Sequence, residues 1–335
     1  MKKIVLLLIS TLQLSCSGQG NKKINGISFV ASREKVVQEQ IAEVVSVHAN
    51  SAAVMPFGFM REVNTPQIRF NTDHQWFGET KNGARQYIEM LQKNGISVML
   101  KPQIWISKGV FTGRLKMDTE EQWQQLEESY RDFVITFAHL AQDSKVDVFC
   151  IGTELEEFVQ NRPRYWKQLI SEIRKIYKGK LTYAANWDEF DRVPFWKQLD
   201  FVGVDAYFPL SESKTPTVEE LVKGWQPWKT KMFNLSEAVQ KQVLFTEYGY
   251  RSMDYSAKKP WLVDRTEEKP NMVSQMNCKE AIFSEFWSEN WFAGGYVWKW
   301  FANHESAGGE RDNRFTPQNK PSLKIIRDNY KKYSE

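Results

Sequence analysis

Histidine and cysteine are scarce in this sequence, and their scarcity limits the chemistry that the chain can perform. None of the four histidines has the spacing of a helix-borne or strand-borne metal site. They are His48, His74, His139 and His304. Outside the N-terminal segment the cysteines are Cys150 and Cys278, and Cys150 lies in a predicted buried strand, so we interpret it as a free core thiol rather than half of a disulfide. We therefore expect neither a metal site nor a cofactor.

Two sequence motifs are also absent, and each absence argues against a class of protein. No Gly-x-Ser-x-Gly motif occurs, so a hydrolase with a serine triad is unsupported. No glycine-rich phosphate loop follows the first predicted strand, which argues against a doubly wound nucleotide-binding sheet, the alternative to the fold preferred below.

The N-terminal segment, residues 1–16, is predicted to be an export signal. Lys2 and Lys3 supply its positive end, and residues 4–9 form an apolar core that is too short to cross a bilayer as a permanent helix. Removing the segment takes the formal net charge from +4 to +2, because it holds two lysines and no other charged side chain. A nearly neutral mature chain lacks the electrostatic footprint of a nucleic-acid-binding protein.

The end of this segment indicates a lipid anchor. Leu14-Ser15-Cys16 resembles the lipobox of bacterial lipoproteins, in which the cysteine is lipidated and becomes the new N-terminus, although Gln13 stands where an aliphatic residue is usual. Residues 17–23 would then be a polar tether. We expect an exported protein, held at the membrane in the periplasm or at the cell surface by a lipid on Cys16. A plain secretory signal is the alternative.

Residues 24–335 alternate short apolar segments with longer helical ones, a pattern typical of βαβ units with right-handed crossovers. Strands are predicted at 24–30, 52–57, 97–104, 146–152, 181–185, 201–207, from 243, and at 295–300. Helices are predicted at 33–48, 82–93, 118–142, 163–177, from 217, at 272–287 and from 321. Eight strands in a chain of this length predict an α/β fold with a single closed (β/α)8 TIM barrel.

Two of the predicted strands end in a glutamate. The apolar run that starts at Val243 leads to Glu247, and the run that starts at Val148 leads to Glu154. In a barrel the functional site lies where strands run out into their following loops. An acid that ends a buried strand costs desolvation free energy unless it has partners, although Glu154 alone could be the first-turn acid of a helix. The pair indicates a glycosidase with two catalytic carboxyl groups.

The other side chains at the predicted strand ends are acids, amides, a lysine and large aromatics, a mixture that suits sugars. Aromatic rings stack on the C–H faces of pyranose rings, while acids and amides bond the hydroxyl groups. The candidate substrate-binding residues are Lys101, Trp105, Asn186, Trp187, Asp205, Tyr207, Arg251, Trp298 and Trp300; Gln103 and Asp188 share these strand ends. Asp205 could instead be a structural partner of Lys101 or Arg251.

The last predicted strand carries alternating aromatics. Strict alternation would put Tyr296, Trp298 and Trp300 on one face, and we expect that face to point to the barrel mouth. One of the two tryptophans would then form the floor of the subsite for the reacting sugar. The alternative is that they are core aromatics.

Taken together, these segments resemble glycoside hydrolase family 113 over nearly the whole mature chain, in the right order. The matching segments are Gly26-Ile27-Ser28-Phe29, Leu100-Lys101-Pro102, Gly152-Thr153-Glu154, Asn186-Trp187, Gly203-Val204-Asp205-Ala206-Tyr207, Thr246-Glu247-Tyr248-Gly249-Tyr250-Arg251-Ser252 and Trp298-Lys299-Trp300. The resemblance implies a retaining β-1,4-mannanase on a TIM barrel. It also implies Glu154 as the acid/base and Glu247 as the nucleophile of a double displacement, with transglycosylation where a sugar hydroxyl replaces water.

One position departs from the wider clan of this family. Thr153 stands where most clan members have the asparagine that bonds the 2-hydroxyl of the reacting sugar, so the sugar is less determined than the reaction. We expect cleavage of β-1,4-mannosidic bonds in mannan or manno-oligosaccharides. The alternatives are a β-glucanase or another barrel glycosidase, and a glycan-binding lipoprotein without catalysis, which would have no reason to keep the acid pair.

Overall fold

The structure, a computed structural model, describes residues 22–262 and 269–334. The predicted export signal, Cys16 and most of the predicted tether lie outside these residues. Within them, no helix is both long and apolar enough to cross a membrane.

In the part of the chain that the structure describes, ten strands form two parallel sheets. They are β1 (Ile24–Phe29), β2 (Ser51–Val54), β3 (Phe57–Met60), β4 (Ser97–Leu100), β5 (Gln103–Ile106), β6 (Val148–Thr153), β7 (Lys180–Asn186), β8 (Val202–Ala206), β9 (Val243–Tyr248) and β10 (Phe292–Trp300). Eight of them close a barrel in the order β1-β10-β9-β8-β7-β6-β4-β2, and β3 pairs with β5 in a separate sheet. The predicted (β/α)8 barrel is confirmed.

Helices surround the barrel. Most lie close to their predicted positions, but the first begins five residues later than predicted, and the short helix at Glu156–Asn161 was not predicted. The helices are α1 (Gln38–Ser46), α2 (Lys81–Lys93), α3 (Glu120–Asp143), α4 (Glu156–Asn161), α5 (Pro163–Ile176), α6 (Val218–Val239), α7 (Met272–Phe286) and α8 (Ser322–Lys332). A capping box starts α3, because Thr119 Oγ1 accepts from the Gln122 amide and Gln122 Oε1 accepts from the Thr119 amide, both at 3.2 Å. The connection from β7 to β8, where the sequence predicts no helix, contains one 3₁₀ turn at Trp196–Gln198.

Two of the predicted strands are each split in the structure, and proline explains why. The segment predicted at 52–57 leaves the barrel at Pro56, and the segment predicted at 97–104 leaves it at Pro102. Proline has no amide hydrogen to donate to the neighbouring strand. Beyond the prolines the two chains stay paired, with Phe57 opposite Gln103, and form β3 and β5 as a small sheet that continues from the carboxyl end of the barrel. The split therefore places Gln103 above the barrel mouth.

The core has an inner layer inside the barrel and an outer layer between strands and helices. On β6, Val148 and Cys150 belong to the inner cluster, and Phe149 and Ile151 to the outer one, as alternation requires. Cys150 and Cys278 are both free buried thiols, which confirms the prediction for Cys150.

The expected alternation of aromatics along β10 is wrong at its end. Tyr296 belongs to the inner cluster, but Trp300 is completely buried in the outer cluster beside Phe29. The reason is a bulge, since an advance of two residues along β1, from Ile27 to Phe29, corresponds to an advance of three along β10, from Val297 to Trp300. Trp300 is therefore a core residue rather than a sugar-stacking surface, and only Trp298, which is half-buried, keeps that prediction.

Candidate active site

The carboxyl group of Glu247 lies at the end of β9 and accepts three hydrogen bonds from side chains. Lys101 Nζ and Gln103 Nε2 donate to Oε1 at 2.5 and 3.1 Å, and the Tyr207 hydroxyl donates to Oε2 at 2.6 Å. The three donors come from three different segments at the carboxyl end of the barrel. These bonds hold the carboxyl group in one orientation. Glu247 is 6% exposed, so only a small part of it is accessible from the barrel mouth.

A buried lysine joins Glu247 to a second carboxylate. Lys101 Nζ lies 3.2 Å from Asp205 Oδ1, and the Thr246 hydroxyl donates to the same oxygen at 2.7 Å. Burial lowers the pKa of Lys101, but the negative charges of Asp205 and Glu247 together outweigh burial and raise that pKa. Burial and the charge of Glu247 raise the pKa of Asp205 to about 7. Asp205 is thus the structural partner of Lys101, one of the two roles considered for it.

The carboxyl group of Glu154 has a different environment. Glu154 follows β6 directly and precedes α4, which begins only at Glu156, so it is not a first-turn acid of a helix. Its amide donates to the Ala184 carbonyl oxygen at 2.8 Å, and its φ of 51° is in the left-handed region. Burial and then the negative charges of Asp205 and Glu247 raise the pKa of Glu154 well above its ordinary value. Glu154 is therefore suited to hold a proton.

The remaining candidates have mixed positions. Trp105 is 51% exposed on β5, and Asn186, at the end of β7, donates to Asp188 at 2.9 Å. Trp187 is half-buried, and Trp261 stacks on it with ring centroids 4.7 Å apart, so one face of the Trp187 ring is covered. Arg251 donates to the carbonyl and side-chain oxygens of Asn313 at 3.3 and 3.2 Å, in the loop that follows β10.

Two residues at the site were not chosen from the sequence. Gln103 was noted at a strand end, but its contact with Glu247 depends on the small sheet above the barrel. Lys299 is half-buried after Trp298, over whose ring its Nζ lies 5.6 Å from the centroid. Burial and then the Arg314 cation lower the pKa of Lys299, and within the described residues its ammonium has no hydrogen bond or ion pair. A lysine between two tryptophans at a strand end was the signal that could have identified it.

Residues 22–262 and 269–334 contain no group of three or more His, Cys, Asp or Glu side chains arranged to hold a metal ion. The site therefore consists of two unlike glutamates, a buried lysine–aspartate pair, amide and hydroxyl donors, and exposed aromatic rings.

An eight-stranded barrel with this set of groups at the carboxyl ends of its strands defines an enzyme of the glycoside hydrolase class. The model of Glycoside Hydrolase Family 113 matches residues 30–320, so the chain belongs to that family and is a glycoside hydrolase. No curated protein matches the sequence.

Solved structures of the same family share the fold. The GH113 β-mannanase AaManA from Alicyclobacillus acidocaldarius, in complex with ManMIm, is 22% identical with a TM-score of 0.81, over 93% of this chain and 98% of that one. A GH113 β-1,4-mannanase is 20% identical with a TM-score of 0.79, over 92% and 99%. The β-glucuronidase of Faecalibacterium prausnitzii is 14% identical with a TM-score of 0.61, over 93% of this chain and 49% of that one.

Proposed function

We propose that the enzyme hydrolyses β-1,4-mannosidic bonds in mannan or manno-oligosaccharides by double displacement with retention of configuration. Membership of the family and the likeness to solved β-mannanases support the substrate class. The observation that carries the mechanism is the contrast between two glutamates at one barrel mouth. Glu247 accepts from three donors, whereas burial and like charges favour the protonated form of Glu154.

In the first step Glu247 attacks the anomeric carbon and Glu154 protonates the oxygen of the leaving sugar. Lys101, Gln103 and Tyr207 hold the Glu247 carboxylate in one orientation before the attack, so little reorganisation is needed when its charge passes into the new bond. In the second step Glu154 takes a proton from water, which attacks the covalent intermediate. A sugar hydroxyl in place of water would give transglycosylation.

The test is a panel of mannan, glucomannan, cellulose and xylan oligosaccharides, with the anomer of the first product followed by NMR. We expect cleavage of the mannose-containing substrates alone, with the β-anomer appearing first. Cleavage of cello-oligosaccharides but not of mannans would favour the β-glucanase alternative. Binding of mannans without products would favour a glycan-binding protein, and an α-anomer as first product would exclude retention.

The ammonium of Lys299, which has no hydrogen bond or ion pair within the described residues, is expected to bind a sugar hydroxyl. Lys299→Met should raise KM by about 10- to 100-fold, the equivalent of one hydrogen bond to a charged group, with a much smaller change in kcat. The free energy of unfolding should not fall, because the wild-type ammonium makes no hydrogen bond within the described residues that methionine would lose. Lys331→Met on α8, an exposed site, is the matched control. An unchanged KM in Lys299→Met would remove the residue from the substrate site.

We also propose that the enzyme is exported and held at the membrane by a lipid on Cys16. Cys16→Ser should move the protein from the membrane fraction to the soluble fraction, because acyl chains would supply the affinity for the bilayer. The measurement is fractionation of cells that express the full chain, with Ser17→Ala as the control. A wild-type protein that is already soluble after export would show that the segment is a plain secretory signal.

A further inference from the structure

Glu189 is a further buried carboxyl group, and it has no role in the reaction described above. Glu189 follows β7, is 1% exposed, and forms no ion pair with any described residue. Its Oε1 accepts from the Tyr183 hydroxyl at 3.1 Å, and its Oε2 has no hydrogen-bond partner within residues 22–262 and 269–334. Burial raises the pKa of Glu189 to about 8. A buried carboxyl group without a cation or a full set of hydrogen bonds costs free energy of folding, so its presence calls for an explanation.

The hydrogen bond from Tyr183 continues to the main chain beside Glu154. The Leu155 amide donates to the Tyr183 hydroxyl at 2.6 Å, and this amide closes the peptide bond on the carboxyl side of Glu154. On the other side, the Glu154 amide donates to the Ala184 carbonyl oxygen at 2.8 Å. Both peptide groups that flank Glu154 are therefore bound to consecutive residues of β7.

This double attachment matters because the main chain of Glu154 has an uncommon conformation. A φ of 51° is sparsely populated for residues other than glycine, and such a conformation persists only where the surroundings fix it. The Tyr183 ring is itself fixed, since it packs edge-on against Trp166 and Phe195 with centroids 5.7 Å away in each case. The hydroxyl of Tyr183 thus presents a fixed acceptor to the Leu155 amide.

We propose that Tyr183 and Glu189 are positioning residues for Glu154: the hydroxyl holds the left-handed turn that aims the acid, and the Glu189 carboxyl group accepts from the hydroxyl and so orients it. The inference rests on the role of Glu154 in the proposed function. The charged groups that face Glu154 are Asp205, Glu247, Glu189 and Lys101, of which the three acids oppose its ionisation and the lysine favours it. Asp188 and Glu156 act on Glu189 in the same sense, because each negative charge disfavours another.

The test of Tyr183 compares leaving groups. In Tyr183→Phe the ring remains and only the hydroxyl is lost, so a misaimed Glu154 should slow those substrates that need a proton. We expect kcat/KM for manno-oligosaccharides to fall by about 10- to 100-fold, part of the contribution of a general acid, and kcat/KM for a dinitrophenyl β-mannoside to change by less than about 3-fold. Tyr177→Phe is the matched control, because its buried hydroxyl donates to Val146 at the other end of β6.

The test of Glu189 separates an acceptor role from a merely structural one. Glu189→Leu removes the acceptor for the Tyr183 hydroxyl and should lower kcat/KM for manno-oligosaccharides by about 10-fold, with little change for the dinitrophenyl β-mannoside, whose rate also shows that the variant is folded. Glu189→Gln keeps an acceptor oxygen in the same place and should retain near-wild-type kcat/KM for both substrates. Glu237→Leu, at an exposed position of α6, is the matched control and should change neither rate.

Equal losses for both leaving groups in Tyr183→Phe, or the same pattern in Tyr177→Phe, would overturn the role of Tyr183. Near-wild-type rates in Glu189→Leu, or losses in Glu189→Gln as large as those in Glu189→Leu, would overturn the role of Glu189. A wild-type enzyme that cleaves no mannoside would contradict the proposed function instead, and the same comparison of leaving groups on the glycosides that the enzyme does cleave would then decide the roles of Tyr183 and Glu189.

Discussion

Replacing Glu247 with alanine should abolish turnover of every substrate, with kcat lowered by at least about 10⁴-fold, because removal of a nucleophile stops the covalent pathway at its first step. Activated aryl mannosides should be no exception, since a better leaving group does not replace the attacking oxygen. Added azide should at most yield the glycosyl azide of the opposite anomer, by direct displacement in the space that the side chain leaves.

Glu154→Ala should behave differently, because it removes a proton donor rather than a nucleophile. Turnover of manno-oligosaccharides should fall by about 10²- to 10⁴-fold, whereas the first step on dinitrophenyl β-mannoside should be nearly unchanged. Azide should restore turnover of the aryl substrate by attacking the trapped intermediate, with retained configuration. Pre-steady-state kinetics and NMR of the azide products measure these outcomes.

Glu156→Ala is the control for both glutamate variants, because Glu156 starts α4 two residues beyond Glu154 and bonds Arg192 at the surface. It should keep near-wild-type kinetics. Azide rescue of Glu247→Ala with retained configuration would show that the two roles are reversed. Near-wild-type turnover by either Glu154→Ala or Glu247→Ala would contradict the paired mechanism itself.

Lys101→Met should have the second largest effect, on both stability and activity. The ammonium of Lys101 is completely buried between Asp205 and Glu247, so its loss leaves two carboxyl groups buried without a cation. Breaking a buried ion pair in this way costs about 3–5 kcal/mol of the free energy of unfolding near neutral pH. The activity should fall with it, because Glu247 loses one of the three donors that hold its carboxyl group in the orientation for attack.

The pH dependence of this variant has a definite sign. Without the ammonium, the folded-state pKa of Asp205 should lie still further above its unfolded value of about 4, so the folded state binds more protons. Stability should then be nearly retained below pH 4 and lost as the pH rises through the folded-state value; burial already raises the pKa of Asp205 to about 7 in the wild type. Chemical unfolding at pH 5 and pH 8 measures the difference.

Lys279→Met is the matched control for Lys101→Met. Lys279 is equally buried, on α7, but its Nζ has no hydrogen-bond partner within the described residues and lies over the Tyr248 ring at 4.7 Å. Burial lowers the pKa of Lys279 to about 7, below its unfolded value, so the wild type loses stability from this group as the pH falls below about 10. Lys279→Met should therefore be neutral or stabilising at pH 7. Equal destabilisation of the two variants would show that packing, not charge, sets the cost.

The barrel could be predicted because its signals are local. The lengths and spacing of the strands, and helix-capping residues such as Thr119, are determined by residues that are close in the sequence. The carboxyl ends of the strands in a barrel meet at one site. The sequence accordingly places five residues together at the site, namely Glu154, Glu247, Lys101, Asp205 and Tyr207. It also suggests an ion pair between Lys101 and Asp205.

What could not be predicted depends on contacts between distant segments or on irregular pairing. The bulge that turns Trp300 into the core arises from how β10 pairs with β1. The alternation of side chains along a regular strand does not predict such a bulge. The hydrogen bond from the Leu155 amide to the Tyr183 hydroxyl joins positions 28 residues apart, and in the sequence Tyr183 resembles an ordinary core aromatic. The stacking of Trp261 on Trp187 likewise joins loops after different strands.

The small sheet of β3 and β5 fixes the spacing of two side chains at the barrel mouth. Gln103 touches Glu247, and Trp105 stands two residues further along the same extended strand, on the same side and exposed. Side chains at this spacing are about 6.6 Å apart along the strand. Because the strand is paired with β3 residue by residue, this interval cannot vary as it would in a free loop. A sugar ring that stacked on Trp105 would thus be held at a fixed distance from Glu247, and inserting a residue between Gln103 and Trp105 would change that distance.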